Sequence, residues 1–281
     1  MLNYFIETGS FSWYQYILKF HPHNKNYYAL TMDPIWTTKT FILLFFAFFI
    51  GGIVKGIIGT GLPTIALALL TATIGIREGM AIILLPSILT NIQQGLLGGS
   101  LKTVLKRSWT FLLSTFITIW VGAALLARVD ISLLSGLLGV ILLLYSAFGL
   151  RSQKLPQPHK AEKWLSPLFG ATNGLLTGLT GSSVIPGVLY LQSLDLGRQK
   201  LVQTMGLLFL TSSTTLAFAL QKNELLTTEL IKLSALAFIP AYIGMIIGVR
   251  IRNRISDTLF RQFFFIFMFF LGLYIVVRAF F

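Results

Sequence analysis

Residues 51–63 read Gly51-Gly52-Ile53-Val54-Lys55-Gly56-Ile57-Ile58-Gly59-Thr60-Gly61-Leu62-Pro63, and residues 174–186 read Gly174-Leu175-Leu176-Thr177-Gly178-Leu179-Thr180-Gly181-Ser182-Ser183-Val184-Ile185-Pro186. Both stretches are apolar, rich in glycine and end in a proline. Glycine allows a helix to unwind, and proline is tolerated in the first turn of the helix that follows. Each stretch therefore predicts a broken helix and a new helix that starts close to Pro63 or Pro186.

The chain around these stretches is too apolar for a soluble protein. Of its 281 residues, 55% are hydrophobic and 11% are charged, against about 25% charged in soluble domains. Crossing a bilayer takes roughly 20 apolar residues in a helix. We predict an all-α integral membrane protein with eight to ten membrane segments, near residues 41–58, 62–74, 79–98, 108–127, 131–150, 165–180, 183–194, 200–219, 229–249 and 262–280.

The two halves of the chain form an internal repeat. An offset of 122 residues superposes Gly52, Gly56, Gly59 and Gly75 on Gly174, Gly178, Gly181 and Gly197. The same offset places Thr90-Asn91 on Ser212-Ser213 and Arg128 on Arg250. Coincident glycines at one fixed offset indicate a duplicated structural unit.

The second segment of each half is too short to cross the hydrocarbon as a regular helix. If both short segments still complete a crossing, each half has five segments and the second half is inverted. If they re-enter instead, the chain has eight crossings. We divide the chain into an interfacial N-terminal segment (1–40), repeat 1 (41–150), a linker (151–164) and repeat 2 (165–281).

The net charge of +13 is interpreted as a topology signal, because the basic residues lie in short tracts between apolar segments. Five-segment repeats put thirteen Lys and Arg side chains on one face and eight on the other, with Lys55 left inside the membrane. The positive-inside rule makes the first face cytoplasmic and places both termini outside. The sequence indicates a multi-pass protein of the cell membrane, with no nucleic-acid partner and no cleaved signal peptide.

The two glycine-rich breaks are the candidate binding site. Backbone that is unpaired at membrane depth is tolerated where it faces protein or a wet cavity, and paired breaks in two repeats point to a transporter site. Helix N-termini at such breaks favour anions. The site residues predicted here are Gly59, Thr60, Gly61, Gly181, Ser182 and Ser183. For the GxxxG pairs Gly52/Gly56 and Gly174/Gly178, close helix packing is the favoured interpretation.

Three further polar residues could contact an anion. Lys55 is a charge within a predicted span and is costly there unless it pairs, meets water or snorkels to the interface. Asn91 and Gln94 share a helix face because they are three residues apart. Interhelical hydrogen bonding is the alternative for these two, and snorkelling is the alternative for Lys55.

Enzymatic chemistry lacks its usual residues. The three histidines, His21, His23 and His159, lie outside the predicted spans, so a serine near the second break has no base. The sequence contains no HExxH motif, no ATP-binding motif and no cysteine, which leaves no predicted metal site and no cofactor. We predict that the chain is not an enzyme.

The two glycine-rich blocks, each followed by a proline and a short helix, resemble the sulfite exporter TauE/SafE family, also called the toluene sulfonate uptake permease family. The resemblance covers most of residues 41–280. It implies a membrane carrier that exports sulfite, sulfoacetate or related organic anions from the cytoplasm. The family's run of three glycines is replaced here by Gly59-Thr60-Gly61 and by Gly181-Ser182-Ser183.

The sequence therefore supports a secondary transporter whose two breaks bind a small anion near the membrane midplane, with alternating access between the halves. Energy would come from a proton or cation gradient, from the substrate gradient or from a separate partner. The alternative is a membrane module that does not transport, such as an assembly or lipid-binding subunit.

Overall fold

The computed structural model describes residues 37–151, 156–254 and 256–281. It divides the chain into two compact units, 1–42 and 43–281. In the described part of the first unit, the backbone N–H of Thr40 donates to Thr37 Oγ1 at 3.1 Å and so caps the start of a helix. The interfacial segment predicted from the sequence lies almost wholly outside the described residues. The rest of this description concerns the second unit.

The described residues form α-helices and no β-strands. The helices are α1 (Thr38–Ile58), α2 (Leu62–Thr71), α3 (Ile76–Ile82), α4 (Leu84–Leu96), α5 (Leu101–Leu126), α6 (Ile131–Arg151), α7 (Glu162–Thr180), α8 (Leu189–Ser193), α9 (Arg198–Lys222), α10 (Thr228–Ile251) and α11 (Asp257–Phe280). A π-helical turn, Val184–Val188, precedes α8, and 3₁₀ turns occupy His159–Ala161 and Arg252–Arg254.

Six of the described helices are long and apolar enough to cross a membrane: α1, α5, α6, α9, α10 and the Thr258–Phe280 part of α11. The pair α3 and α4 gives a seventh if it counts as one bent span. Helix α2 and the segment Val184–Ser193 are apolar but shorter. The chain is thus a multi-pass helical membrane protein, as its composition predicts.

The predicted third segment, 79–98, is two helices rather than one. Helices α3 and α4 meet at a bend of 42°. Pro86 lacks the N–H that would bond to the carbonyl of Ile82, and its ring crowds that carbonyl. Ser234 fills the gap, since its Oγ donates to Ile82 O at 2.7 Å and accepts from the backbone N–H of Leu85 at 3.1 Å.

The two breaks differ in how the chain resumes its helix. After Gly61, whose φ of +109° requires glycine, α2 begins at Leu62 with Pro63 in its first turn. In the second half the helical segment is Val184–Ser193, a π-helical turn followed by α8, so a helix resumes close to Pro186 as predicted. Ile185 precedes a proline, which disfavours helical backbone, and it is extended (φ −124°, ψ 130°).

The GxxxG glycines pack helices of one half against helices of the other. A Cβ at Gly52 would overlap the carbonyl oxygen of Ala241 in α10, and one at Gly56 would overlap that of Met245. In the second half, a Cβ at Gly178 would overlap the carbonyl oxygen of Ile119 in α5. The packing interpretation of these glycines holds, and it brings the helices α1 and α7 that precede the breaks against α10 and α5.

Candidate functional site

Lys55 is held inside the protein by Asn91. Its side chain is 3% exposed, Asn91 is fully buried, and the Lys55 Nζ donates to Asn91 Oδ1 at 2.5 Å. The Asn91 amide is itself fixed, because Nδ2 donates to the backbone carbonyl of Ser87 at 2.7 Å. The ammonium therefore points into the helix bundle and does not snorkel.

An open cavity of about 940 Å³ begins at Lys55. Polar and basic residues on its wall include Gln93, Gln94, Gln203, Arg198, Arg250 and Arg252, and Gly59 of the first break also lines it. None of the described residues on this wall is an aspartate or glutamate. The cavity is therefore an electropositive funnel that leads to a buried ammonium, an arrangement that concentrates anions.

Gln94 takes part in helix packing as well as in the cavity wall. Its Nε2 donates to the backbone carbonyl of Val202 in α9 at 2.8 Å. The neighbouring Gln203, which is 1% exposed, donates to Gly95 O at 3.0 Å and accepts from Ser100 N at 2.9 Å. The wall between α4 and α9 is thus fixed by side-chain to backbone bonds.

The second break borders a different and less open cavity of about 10 Å³, called the closed cavity below. Gly181, Ser182 and Ser183 line it together with Pro63 and Thr64, which follow the first break. The Ser183 Oγ lies 2.9 Å from Thr177 Oγ1 and donates to Ser212 Oγ at 3.1 Å. The Ser182 Oγ is buried and has no hydrogen-bond partner among the described residues.

Thr60 and Gly61 take other places. Thr60 lines a third cavity of about 340 Å³ that also contains Arg198 and Arg261. Gly61 lines none of these three cavities and is buried at the start of α2. The nine residues predicted as one site are therefore separated. Lys55, Gly59 and Gln94 line the open cavity, and Asn91 joins them through its bond to Lys55.

Sequence reasoning missed the arginines of the open cavity, which were interpreted only as topology signals. The glycine that brings them there lies in α10. Gly248 packs against Ile53 and Gly56, so Arg250 and Arg252, a few residues further on, had to lie near the end of α1 that carries Lys55. Which glycines pack together could not be known without the tertiary structure.

These features define a class of protein. A multi-pass helical bundle with interrupted helices, and with an open cavity that leads to a buried charge, is the architecture of a membrane transporter. The model of the family described as Sulfite exporter TauE/SafE matches residues 44–275. The chain belongs to this family, which consists of transporters of sulfite and other anions and not of enzymes. No curated protein and no solved structure matches the chain.

Proposed function

We propose that the chain is a secondary carrier of small anions of the sulfite and organosulfonate class, and that the anion binds at the Lys55 end of the open cavity. The observation that carries this proposal is a buried ammonium facing an open cavity whose described wall has no carboxylate. An ammonium inside a membrane is costly, and a transported anion would offset that cost.

Lys55 has donors to offer. An ammonium carries three N–H donors, and among the described residues its hydrogen bond goes to Asn91 alone. The remaining donors can reach the oxygens of a sulfite or sulfonate group, while Asn91 keeps the ammonium in place. Gly59 and Gln94 complete the wall at this point. We assign the anion site of this conformation to Lys55, Gly59, Asn91 and Gln94.

The remaining predicted residues have other roles in this proposal. The closed cavity beside Gly181, Ser182 and Ser183 is about the size of one water molecule, which is too small for an anion with several oxygens around a sulfur atom. Thr60 faces the neighbouring cavity with Arg198 and Arg261, and Gly61 supplies the backbone bend that starts α2.

The proposed direction of transport is export, and the open cavity is consistent with it. Arg198, Arg250 and Arg252 at its wall belong to the face that the positive-inside rule makes cytoplasmic. A carrier open to the cytoplasm is loaded from inside the cell, as an exporter requires. This orientation places both termini outside.

Alternating access would be a movement of two inverted five-segment repeats, 41–150 and 165–281, with ten crossings. The supporting contacts are reciprocal, since α1 packs through Gly52 and Gly56 on α10, while α7 packs through Gly174 and Gly178 on α5. Each repeat therefore contributes a helix to the packing of the other, as a pseudo-twofold arrangement requires.

The test is the flux of labelled sulfite into proteoliposomes, with unlabelled sulfite and methanesulfonate as competitors. The matched variants are Lys55→Met and Lys102→Met, since Lys102 is an exposed lysine of α5. We expect saturable flux that falls by about 10- to 100-fold in Lys55→Met and persists in Lys102→Met. The size of the decrease corresponds to the free energy of one hydrogen bond to a charged group.

Two results would contradict the proposal. Equal flux in wild type and Lys55→Met would still support a carrier but would show that its anion site is not at Lys55. No flux of either anion under any gradient, from protein that is folded and reconstituted, would favour the membrane module without transport.

A further inference from the structure

Hydroxyl groups surround the closed cavity. The Ser and Thr residues on its wall are Thr64, Thr177, Ser182, Ser183, Ser212 and Ser213, and the other lining residues are apolar. No charged side chain of the described residues reaches it. Its volume of about 10 Å³ matches a single water or a bare ion of similar size.

The hydrogen bonds within this cluster leave oxygen lone pairs for a ligand. A hydroxyl has one hydrogen and two lone pairs. The hydrogen of Ser183 goes to Ser212 Oγ. The single hydrogen of Thr177 lies between two acceptors, Ser183 Oγ at 2.9 Å and the carbonyl of Ser182 at 3.2 Å. Lone pairs that face an enclosed space suit a cation better than an anion.

Ser182 provides an independent indication of a ligand. Its side chain is 4% exposed, and its Oγ has no partner among the described residues. Buried hydroxyls are nearly always hydrogen-bonded or bound to something. The oxygen lies beside a cavity in which one particle could contact it.

The end of α7 lies at this cavity and brings the negative end of the helix dipole to it. The helix ends at Thr180, and Gly181 lines the cavity. The last carbonyls of a helix lack partners within it and carry the negative end of its dipole. In transporters with interrupted helices, such carbonyls coordinate Na⁺. No carboxylate, imidazole or thiolate of the described residues lines this cavity, so divalent and transition metals lack their usual ligands.

The first half of the chain shows what occupies the equivalent place there. At the repeat offset, Lys55 corresponds to Thr177 and Asn91 corresponds to Ser213. In the first half the positive charge belongs to the side chain of Lys55, which donates a hydrogen bond to Asn91. In the second half Thr177 replaces the lysine, and hydroxyl oxygens surround a small space without a charged side chain.

We propose that the hydroxyl cavity of Thr177, Ser182, Ser183 and Ser212 binds Na⁺, and that Na⁺ is the coupling ion of the carrier. The coupling rests on the proposed function, whereas Na⁺ binding does not.

The first experiment measures binding without any transported anion. Purified protein in choline chloride is unfolded by heat while NaCl, LiCl or KCl replaces choline at constant ionic strength. We expect the unfolding temperature to rise saturably with Na⁺ and less with K⁺. The variants Ser182→Ala and Thr177→Val should lose this shift. Ser182→Ala removes no hydrogen bond of the Ser182 hydroxyl, so it should fold.

Ser146→Ala is the matched control. Ser146 is fully buried in α6, and its Oγ donates to Leu142 O at 2.7 Å, so it is a buried serine outside the cavity. The Na⁺ shift should remain in this variant. An equal shift with K⁺, a shift that survives both cavity variants, or no shift in folded wild-type protein would each overturn the Na⁺ site.

The second experiment separates the two proposals. Sulfite flux is measured with Na⁺ or with choline as the only cation. Saturable flux that does not depend on Na⁺ would leave the anion carrier intact and overturn the coupling. A Na⁺ shift that requires Ser182, in protein that carries no sulfite, would support the cation site even if the proposed anion carrier fails.

Discussion

The two halves of the chain share a backbone plan and differ at the cavities beside their breaks. In the first half, Lys55 lies at the end of an open cavity of about 940 Å³. At the equivalent position of the second half, Thr177 lies in a closed cavity of about 10 Å³. Close helix packing at glycines is therefore common to both halves, while charge and access are not. An asymmetry of this kind is what a carrier trapped open to one side would show.

The strongest test of the shared packing is at adjacent glycines of α1. Gly52→Ala would place a methyl group against the carbonyl oxygen of Ala241. The nearest atoms there are all backbone atoms of α10, which cannot move aside as a flexible side chain can. Gly51→Ala places its methyl group 3.1 Å from the carbonyl oxygen of Leu62, a much milder contact. We expect Gly52→Ala to cost about 3 kcal/mol, the upper end for overpacking, and Gly51→Ala far less. The measurement is the fraction of monodisperse protein on heating in detergent, and equal behaviour of the two variants would contradict the packing.

A second test compares Asn91 with its counterpart Ser213. Asn91→Leu removes the acceptor of a buried ammonium, which should cost about 1–3 kcal/mol of stability, since an unsatisfied buried polar group carries that penalty. Ser213→Ala, at the equivalent position of the uncharged half, should cost less.

The double variant Lys55→Met/Asn91→Leu sharpens this comparison. It removes both partners, so its stability should recover relative to Asn91→Leu alone, and a thermal-unfolding double-mutant cycle measures the coupling. Strictly additive costs would show that the Lys55–Asn91 bond does not stabilise the first half.

A third and smaller effect is expected at the rim of the open cavity. Arg250 lines it, whereas Arg128, its counterpart in the first half, is an exposed residue that lines none of the three cavities. Arg250→Gln should raise the KM for sulfite by about two- to fivefold at low salt, as expected for an exposed charge pair, and less at high salt. Arg128→Gln should leave the KM unchanged. A shared response of both variants would point to a general charge effect.

The hydrophobic pattern was sufficient to predict a helical membrane protein and its six long apolar helices, because bilayer-spanning segments must be long and apolar. It also identified the GxxxG glycines as packing residues and Pro63 as the start of α2. The bend at Pro86 was missed, although the proline was visible in the sequence, because the serine that satisfies the bend, Ser234, is distant in the chain. The π-helical turn before α8 was also missed, and there the side chain of Asn173 accepts a hydrogen bond from the backbone N–H of Gly187.

The site was only partly accessible to sequence reasoning. Lys55 and Asn91 were both identified as polar residues in spans, but their direct bond depends on the packing of α1 against α4. The breaks at Gly59–Gly61 and Gly181–Ser183 were expected to form one site. The structure places Lys55 at one cavity, Thr60 at another and Ser182 at a third. Residues at equivalent positions of the two halves therefore need not line the same cavity.

Thiol labelling tests most directly the claim that one half is open and the other closed. The chain contains no cysteine, so single cysteines can be introduced at Gln94, in the open cavity, and at Leu216, its counterpart in the closed one. We predict that Gln94→Cys reacts with a bulky hydrophilic thiol reagent at least about tenfold faster than Leu216→Cys, because the closed cavity must open before it can react. Both variants should react alike after denaturation in SDS. Equal rates in the folded protein, or faster labelling at Leu216, would contradict the account.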